Sequence, residues 1–305
     1  MEEPWSPVAS VAATRAASPT ESVNSIATED GLRTRVILVG IGGATCSGKT
    51  TLAKHLRHIL PGSMIVHQDD FAPPSELIPM HPVHNVQDWD SAPGAIDWPR
   101  LAAFLRYLKE HGGEFPPGHY SHDHLNEQKE CPIPAALVED WTGIFERVNE
   151  ASRVRGEKIV WRIVDGFLLY WHKDVVDQLD VRVFLRVPGD VLKQRRHERH
   201  GYHTAEGALW RDPPGYWERI VWPAYVDAHE KLFVGGDVEH GLPKLRHRRI
   251  PDVVEEDVSM GEVEEPGQEG GVDGLVLIEG MKVNMEEMVR HCCEILREQV
   301  SEYNS

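Results

Sequence analysis

Five short apolar runs punctuate the chain, at residues 36–41, 64–66, 159–164, 181–187 and 275–278. Continuous runs of this length, bounded by polar segments, are the pattern of strands covered on both faces, and they predict a parallel sheet. Between them, apolar positions recur at helical spacing. Leu52, Ala53 and Leu56 follow the first run, and Met285, Met288, Val289, Cys292, Ile295 and Leu296 follow the last, on one helix face. That face predicts Cys292 to be core. Strands alternating with helices give a doubly wound α/β fold, whose ligands gather at the carboxyl ends of the strands. Two stretches break the pattern: 112–134, rich in His, Pro and Gly, and 235–274. Neither is periodic, and both read as surface insertions.

Length and charge refine this picture. A chain of 305 residues exceeds what one compact core needs, so the reading is a disordered arm over 1–34 and one α/β domain over 35–305. The net charge of -17 argues against non-specific binding to nucleic acid or anionic lipid, which requires clustered Lys and Arg. Much of that charge is local: residues 252–273 hold nine acids and no basic residue, the composition of a solvated loop. The four cysteines form no C-x-x-C pair, which fits a reducing compartment. No apolar run approaches the roughly 20 residues that span a bilayer, and the N-terminus lacks a secretory pattern. The expectation is a soluble, monomeric cytoplasmic protein, with the nucleus also open to it.

The chemistry begins directly after the first run. Gly43-Ala44-Thr45-Cys46-Ser47-Gly48-Lys49-Thr50 fits G-x-x-x-x-G-K-[ST] in the strand-then-helix context the pattern needs. The two glycines let the backbone wrap a polyphosphate, so that successive N–H groups, with Thr51 opening the helix, face the anion. Lys49 reaches the β and γ phosphates and the Thr50 hydroxyl is placed to ligate Mg²⁺. Cys46 reads as a residue whose backbone N–H is what matters. At the end of the second run, His67-Gln68-Asp69-Asp70-Phe71 puts two carboxylates where a γ phosphate should sit, able to take a proton from an attacking hydroxyl and help hold the metal. The third run ends in Asp165, a second metal-orienting carboxylate. After the fourth, Arg195, Arg196 and Arg199 lie on a segment able to close over a triphosphate as a helical lid. Trp89, Asp90 and Tyr202 are candidates to stack a flat ring and to accept hydrogen bonds from ribose hydroxyls. His119, His122 and His124, like His197, His200 and His203, have a suggestive spacing, but hard Mg²⁺ prefers oxygen and no cysteine accompanies them.

The constellation resembles the nicotinamide riboside kinases, a branch of the uridine kinase-like phosphate-loop kinases. The shared pieces are GGATCSGKTTLA at 42–53, HQDDF at 67–71, Trp89-Asp90, VDGFLL at 164–169, RRHERHGY at 195–202, and DPPGYW with VWPAYV between 212 and 226. The resemblance implies a P-loop NTPase fold with a five-stranded parallel sheet in the order 2-3-1-4-5. It also implies transfer of the ATP γ phosphate to the 5′ hydroxyl of nicotinamide riboside or nicotinic acid riboside, for NAD synthesis. By that resemblance Asp69 is the proton acceptor, and Asp69, Asp70, Phe71, Trp89, Asp90, Arg196 and Tyr202 bind the riboside. Gly43 to Thr51, with Arg195 and Arg199, bind ATP, while Thr50 and Asp69 hold Mg²⁺; Asp165, read above as a metal-orienting acid, stands where animal members carry the longer Glu. A kinase of uridine or cytidine, or another small-molecule P-loop kinase such as one acting on pantothenate, is the alternative that keeps the fold. A GTPase switch would need N-K-x-D, which does not occur.

Overall fold

The computed structural model describes residues 26–27, 31–126, 129–199, 201–244 and 270–302. Residues 1–25 and 28–30 of the N-terminal arm and residues 245–269, which include most of the acidic stretch, lie outside them, and with them the disorder expected there. All five apolar runs are strands: β1 (Arg33–Gly43), β2 (Met64–His67), β3 (Glu157–Gly166), β4 (Val181–Arg186) and β5 (Leu275–Glu279). They pair in parallel in the order β2-β3-β1-β4-β5, the 2-3-1-4-5 sheet of the P-loop NTPases. A two-residue strand, Ile26–Ala27, adds antiparallel to the start of β1.

The main helices are α1 (Lys49–Ile59), α2 (Trp98–Glu110), α3 (Ala135–Val154), α4 (Gly189–His197), α5 (Trp222–His229) and α6 (Met285–Glu302). Side chains of a strand alternate between faces, and β1 shows it. Ile37, Val39 and Ile41 meet α1, α3 and α6 through Leu52, Leu56, Phe145, Val289, Cys292 and Leu296. Leu38 faces the opposite core, built with Leu101 and Leu105 of α2, Leu192 of α4 and Tyr225 of α5. Each such Leu or Phe contributes about 1.5–3 kcal/mol when fully buried, so the sheet is clamped from both sides. Cys292 is core as expected, 1% exposed, and burial pushes its thiol up to about 12.

Three expectations change. The lid is not wholly helical: α4 is followed by a two-stranded antiparallel ribbon in which Tyr202 pairs with Trp210 and His203 with Leu209. Residues 235–244 are not a free insertion, because Arg186 on β4 donates to the Gly241 carbonyl (2.6 Å) and Val238 is buried. Residues 112–126 lie at the surface, but they too are anchored rather than free. Phe115 packs edge-on to Phe104 (centroids 5.4 Å apart), and the buried Arg162 on β3 donates to the Gly113 carbonyl (2.6 Å). Single aromatic and guanidinium anchors fasten both stretches, and such anchors leave no periodicity to read.

Candidate active site

An open cleft lies over the carboxyl ends of β1, β2 and β3. Its donor side is the turn from β1 into α1. Gly43 has φ 139° and a Cβ there would sit 2.4 Å from the Leu185 carbonyl oxygen, so only glycine lets the loop lie against β4. Gly48, at φ 99°, caps α1 without any side-chain hydrogen bond, leaving the first-turn N–H groups for an anion. Lys49 Nζ rests on the Ala44 carbonyl (3.4 Å), folded back over the loop. Thr45, Lys49 and Thr50 line the cleft.

Opposite the loop stand the strand-end acids. Asp69 is open to the cleft; the protein packed around it raises its carboxyl above the ordinary range, with the Lys49 charge opposing. Asp165, 5% exposed, goes the other way: burial would raise it, but the hydrogen bond to His67, the Lys49 and His67 charges and the Thr50 hydroxyl outweigh burial. His67 Nδ1 lies 3.2 Å from Asp165 Oδ2. Burial lowers the imidazole, but Asp165, Asp123 and Asp70 more than restore it, so the net shift is up. The two carboxylates are thus pushed apart, one more basic and one held ionised. Asp165 Oδ1 is buried without a partner. Among the described residues no three or more His, Cys, Asp or Glu side chains gather as a metal cage. An oxygen set of Thr50, Asp69 and Asp165 fits Mg²⁺ nonetheless, since that ion takes one or two carboxylates and completes its shell with phosphate and water.

The third feature is a buried charge network. Arg196, on the last turn of α4, donates Nε to Asp212 Oδ2 (2.6 Å) and Nη2 to Asp212 Oδ1 (3.1 Å). It donates Nη1 to Asp90 Oδ1 (3.1 Å) and Nη2 to Asp90 Oδ2 (3.4 Å). Burial raises the Asp90 carboxyl even against Arg196. Asp212 went unrecognised because D-P-P-G reads as a turn acid. Its neighbour Trp210 also lines the cleft, and its indole N–H donates to Asp212 Oδ1 (3.0 Å).

Several expected residues take other positions. The ring beside Trp89 is Trp210, with centroids 5.6 Å apart, rather than Tyr202. Tyr202 lies under the guanidinium groups of Arg199 (4.2 Å) and Arg196 (4.9 Å), and its hydroxyl reaches Thr45 Oγ1 (3.3 Å) and Cys46 Sγ (3.4 Å). The Cys46 side chain is therefore a contact between loop and lid, not a bystander. Arg195 donates to the Cys46 carbonyl (3.2 Å) at the outer rim. Phe71 is absent from the cleft wall: it is 2% exposed and packs against Phe104. It belongs to a 3₁₀ turn, Gln68–Phe71, where three residues per turn send Asp69, Asp70 and Phe71 in three directions. The wall gains instead His122, Asp123 and Asn126 from the His-rich stretch, and Ser121 donates to Asp70 Oδ1 (3.1 Å).

No family model matches the chain. It is 38% identical over 216 residues to a nicotinamide riboside kinase of Schizosaccharomyces pombe, covering 71% of this chain and 87% of the relative. It is 30% identical over 223 residues to the nicotinamide riboside kinase of Saccharomyces cerevisiae, covering 73% and 90%. Human nicotinamide riboside kinase 2 is 28% identical over 200 residues, covering 66% and 70%. A solved sugar kinase from Janibacter sp. HTCC2649 aligns at 13% identity with a TM-score of 0.36 over 86% of this chain and 95% of that one, too loosely to bear on the reaction.

Proposed function

Because the chain belongs to the nicotinamide riboside kinase family, we propose that it transfers the γ phosphate of ATP to the 5′ hydroxyl of nicotinamide riboside, and of nicotinic acid riboside. The observation that carries this reading is the placement of Asp69: an accessible carboxylate just past the end of β2, lining the same cleft as Lys49 and Thr50 of the phosphate loop. A general base needs that placement beside the reacting phosphate.

In this mechanism the loop N–H groups and Lys49 hold the β and γ phosphates. Thr50, Asp69 and Asp165 would hold Mg²⁺, which when bound offsets phosphate charge. Asp69 orients the 5′ hydroxyl and takes its proton as the oxygen bonds to the γ phosphorus, while the bond to the bridging oxygen breaks and ADP leaves. Asp90, kept in place by Arg196, accepts hydrogen bonds from the ribose hydroxyls. Trp89 and Trp210 offer electron-rich faces to a cationic pyridinium. Arg199 and Tyr202 close the lid onto the loop and exclude water that would compete with the acceptor.

We read residues 35–305 as one kinase domain working in a reducing cytoplasm, in keeping with free cysteines at 46, 131, 292 and 293. No helix among the described residues is long and apolar enough to cross a membrane. The test is an ADP-release assay over nicotinamide riboside, nicotinic acid riboside, uridine, cytidine and pantothenate. Fastest turnover of the pyridine ribosides is expected, and activity confined to uridine and cytidine would overturn the assignment.

A further inference from the structure

The segment 119–126 ties together three parts of the site that are remote from one another in sequence: α1, the turn at the end of β2 and the lid ribbon. Asp123 Oδ2 lies 2.8 Å from Lys54 Nζ on α1 and 3.6 Å from His67 Nε2 at the end of β2. Through its other nitrogen, His67 meets Asp165. Two residues before Asp123, Ser121 holds the Asp70 carboxylate. Three residues after it, Asn126 Oδ1 accepts the backbone N–H of His203 on the lid ribbon (3.0 Å). The segment is braced internally, with Asp123 N donating to Ser121 Oγ (3.3 Å) and Asn126 N to the Asp123 carbonyl (2.8 Å). Its His122 ring rests on the lid turn, where a Cβ added at Gly207 would lie 2.9 Å from the ring.

From this juxtaposition we infer that the 119–126 segment is the positioning wall of the acceptor site, with Asp123 as its anchor. The anchor holds a short braced turn, so Ser121 and Asn126 cannot shift independently of it. Loss of the anchor releases Asp70 on the acceptor side and the ribbon that closes over it. The phosphate loop takes its shape from β1, β4 and α1, and the segment reaches it only indirectly: through Lys54 on α1, through His67 to Asp165, and through the ribbon whose Tyr202 touches Thr45 and Cys46. Its direct holds are on Asp70 and on the ribbon, so the wall acts more strongly on the riboside than on ATP. Asp123 touches no reacting atom in this account; it acts through Ser121, Asn126 and His67.

This inference rests on the reading of the cleft as a riboside site, so the assay is run with whichever of nicotinamide riboside, nicotinic acid riboside, uridine and cytidine the unaltered full chain turns over fastest. Asp123→Asn keeps shape and removes charge. It should raise the riboside KM about tenfold, the scale of a lost charged hydrogen bond, while the ATP KM stays within about twofold. Its melting temperature should fall by no more than about 3 °C, as for other partly exposed ion pairs. Asn126→Ala should raise the same KM, and the double variant should be no worse than roughly the weaker single one, because both release one wall. An unchanged riboside KM, or an equal rise for riboside and ATP, would overturn the inference. Failure of the unaltered chain on nicotinamide riboside would instead count against the proposed function, leaving the variant ratio to decide on the wall.

Discussion

Arg196→Met removes one guanidinium and strands two acids. Arg196 is 6% exposed and makes four hydrogen bonds, at 2.6, 3.1, 3.1 and 3.4 Å, to Asp90 and Asp212. Asp90 is itself 6% exposed. Breaking one side of a buried pair costs about 3–5 kcal/mol, mostly because the remaining charge stays buried. For a chain of this size that is a fall in melting temperature of about 10 °C. The pH dependence identifies the cause. The Asp90 carboxyl is already raised by burial, and without Arg196 it rises further. A raised folded-state carboxyl is stabilising below its unfolded value and loses that contribution as pH rises through the folded value. The deficit of Arg196→Met should therefore shrink from pH 8 toward pH 5, read by thermal or urea unfolding at each pH. A loss below about 1 kcal/mol, or one independent of pH, would refute the buried-network argument.

Asp70→Asn should raise stability at pH 7.5 and make little difference at pH 4. The Asp70 carboxyl is raised from 3.8 to about 6, chiefly by burial, so ionising it in the fold costs about 3 kcal/mol that the amide avoids. Urea titrations at both values check the sign, and a variant that is less stable at pH 7.5 would contradict it. Among the cysteines, a thiol reagent should label the exposed Cys131 in the native protein and leave Cys292 untouched until unfolding, since burial holds the Cys292 thiol at about 12. Mass spectrometry after brief labelling distinguishes them.

Strands β1 to β5 were legible because a strand buried on both faces must be apolar throughout. The phosphate loop was legible because wrapping an anion demands glycine at fixed positions and a lysine beside them. Residues carried by adjacency were less legible. Phe71 follows two site acids, yet the 3₁₀ turn rotates it into the core. Tyr202 has the aromatic face a ring needs, but two arginines lie over it and its hydroxyl caps the loop. Asp123, Asn126 and Asp212 sit in aperiodic segments rich in turn residues, where a carboxylate reads as a cap. Their partners, Lys54, His203 and Arg196, come from distant elements, so only the folded chain brings them together.

The central claim is that Asp69 takes the proton of a riboside hydroxyl in this cleft. Asp69→Asn should leave ATP affinity, measured by calorimetry, largely intact while lowering kcat on nicotinamide riboside by at least about 100-fold, the scale of a lost general base. Near-normal turnover in that variant would contradict the account.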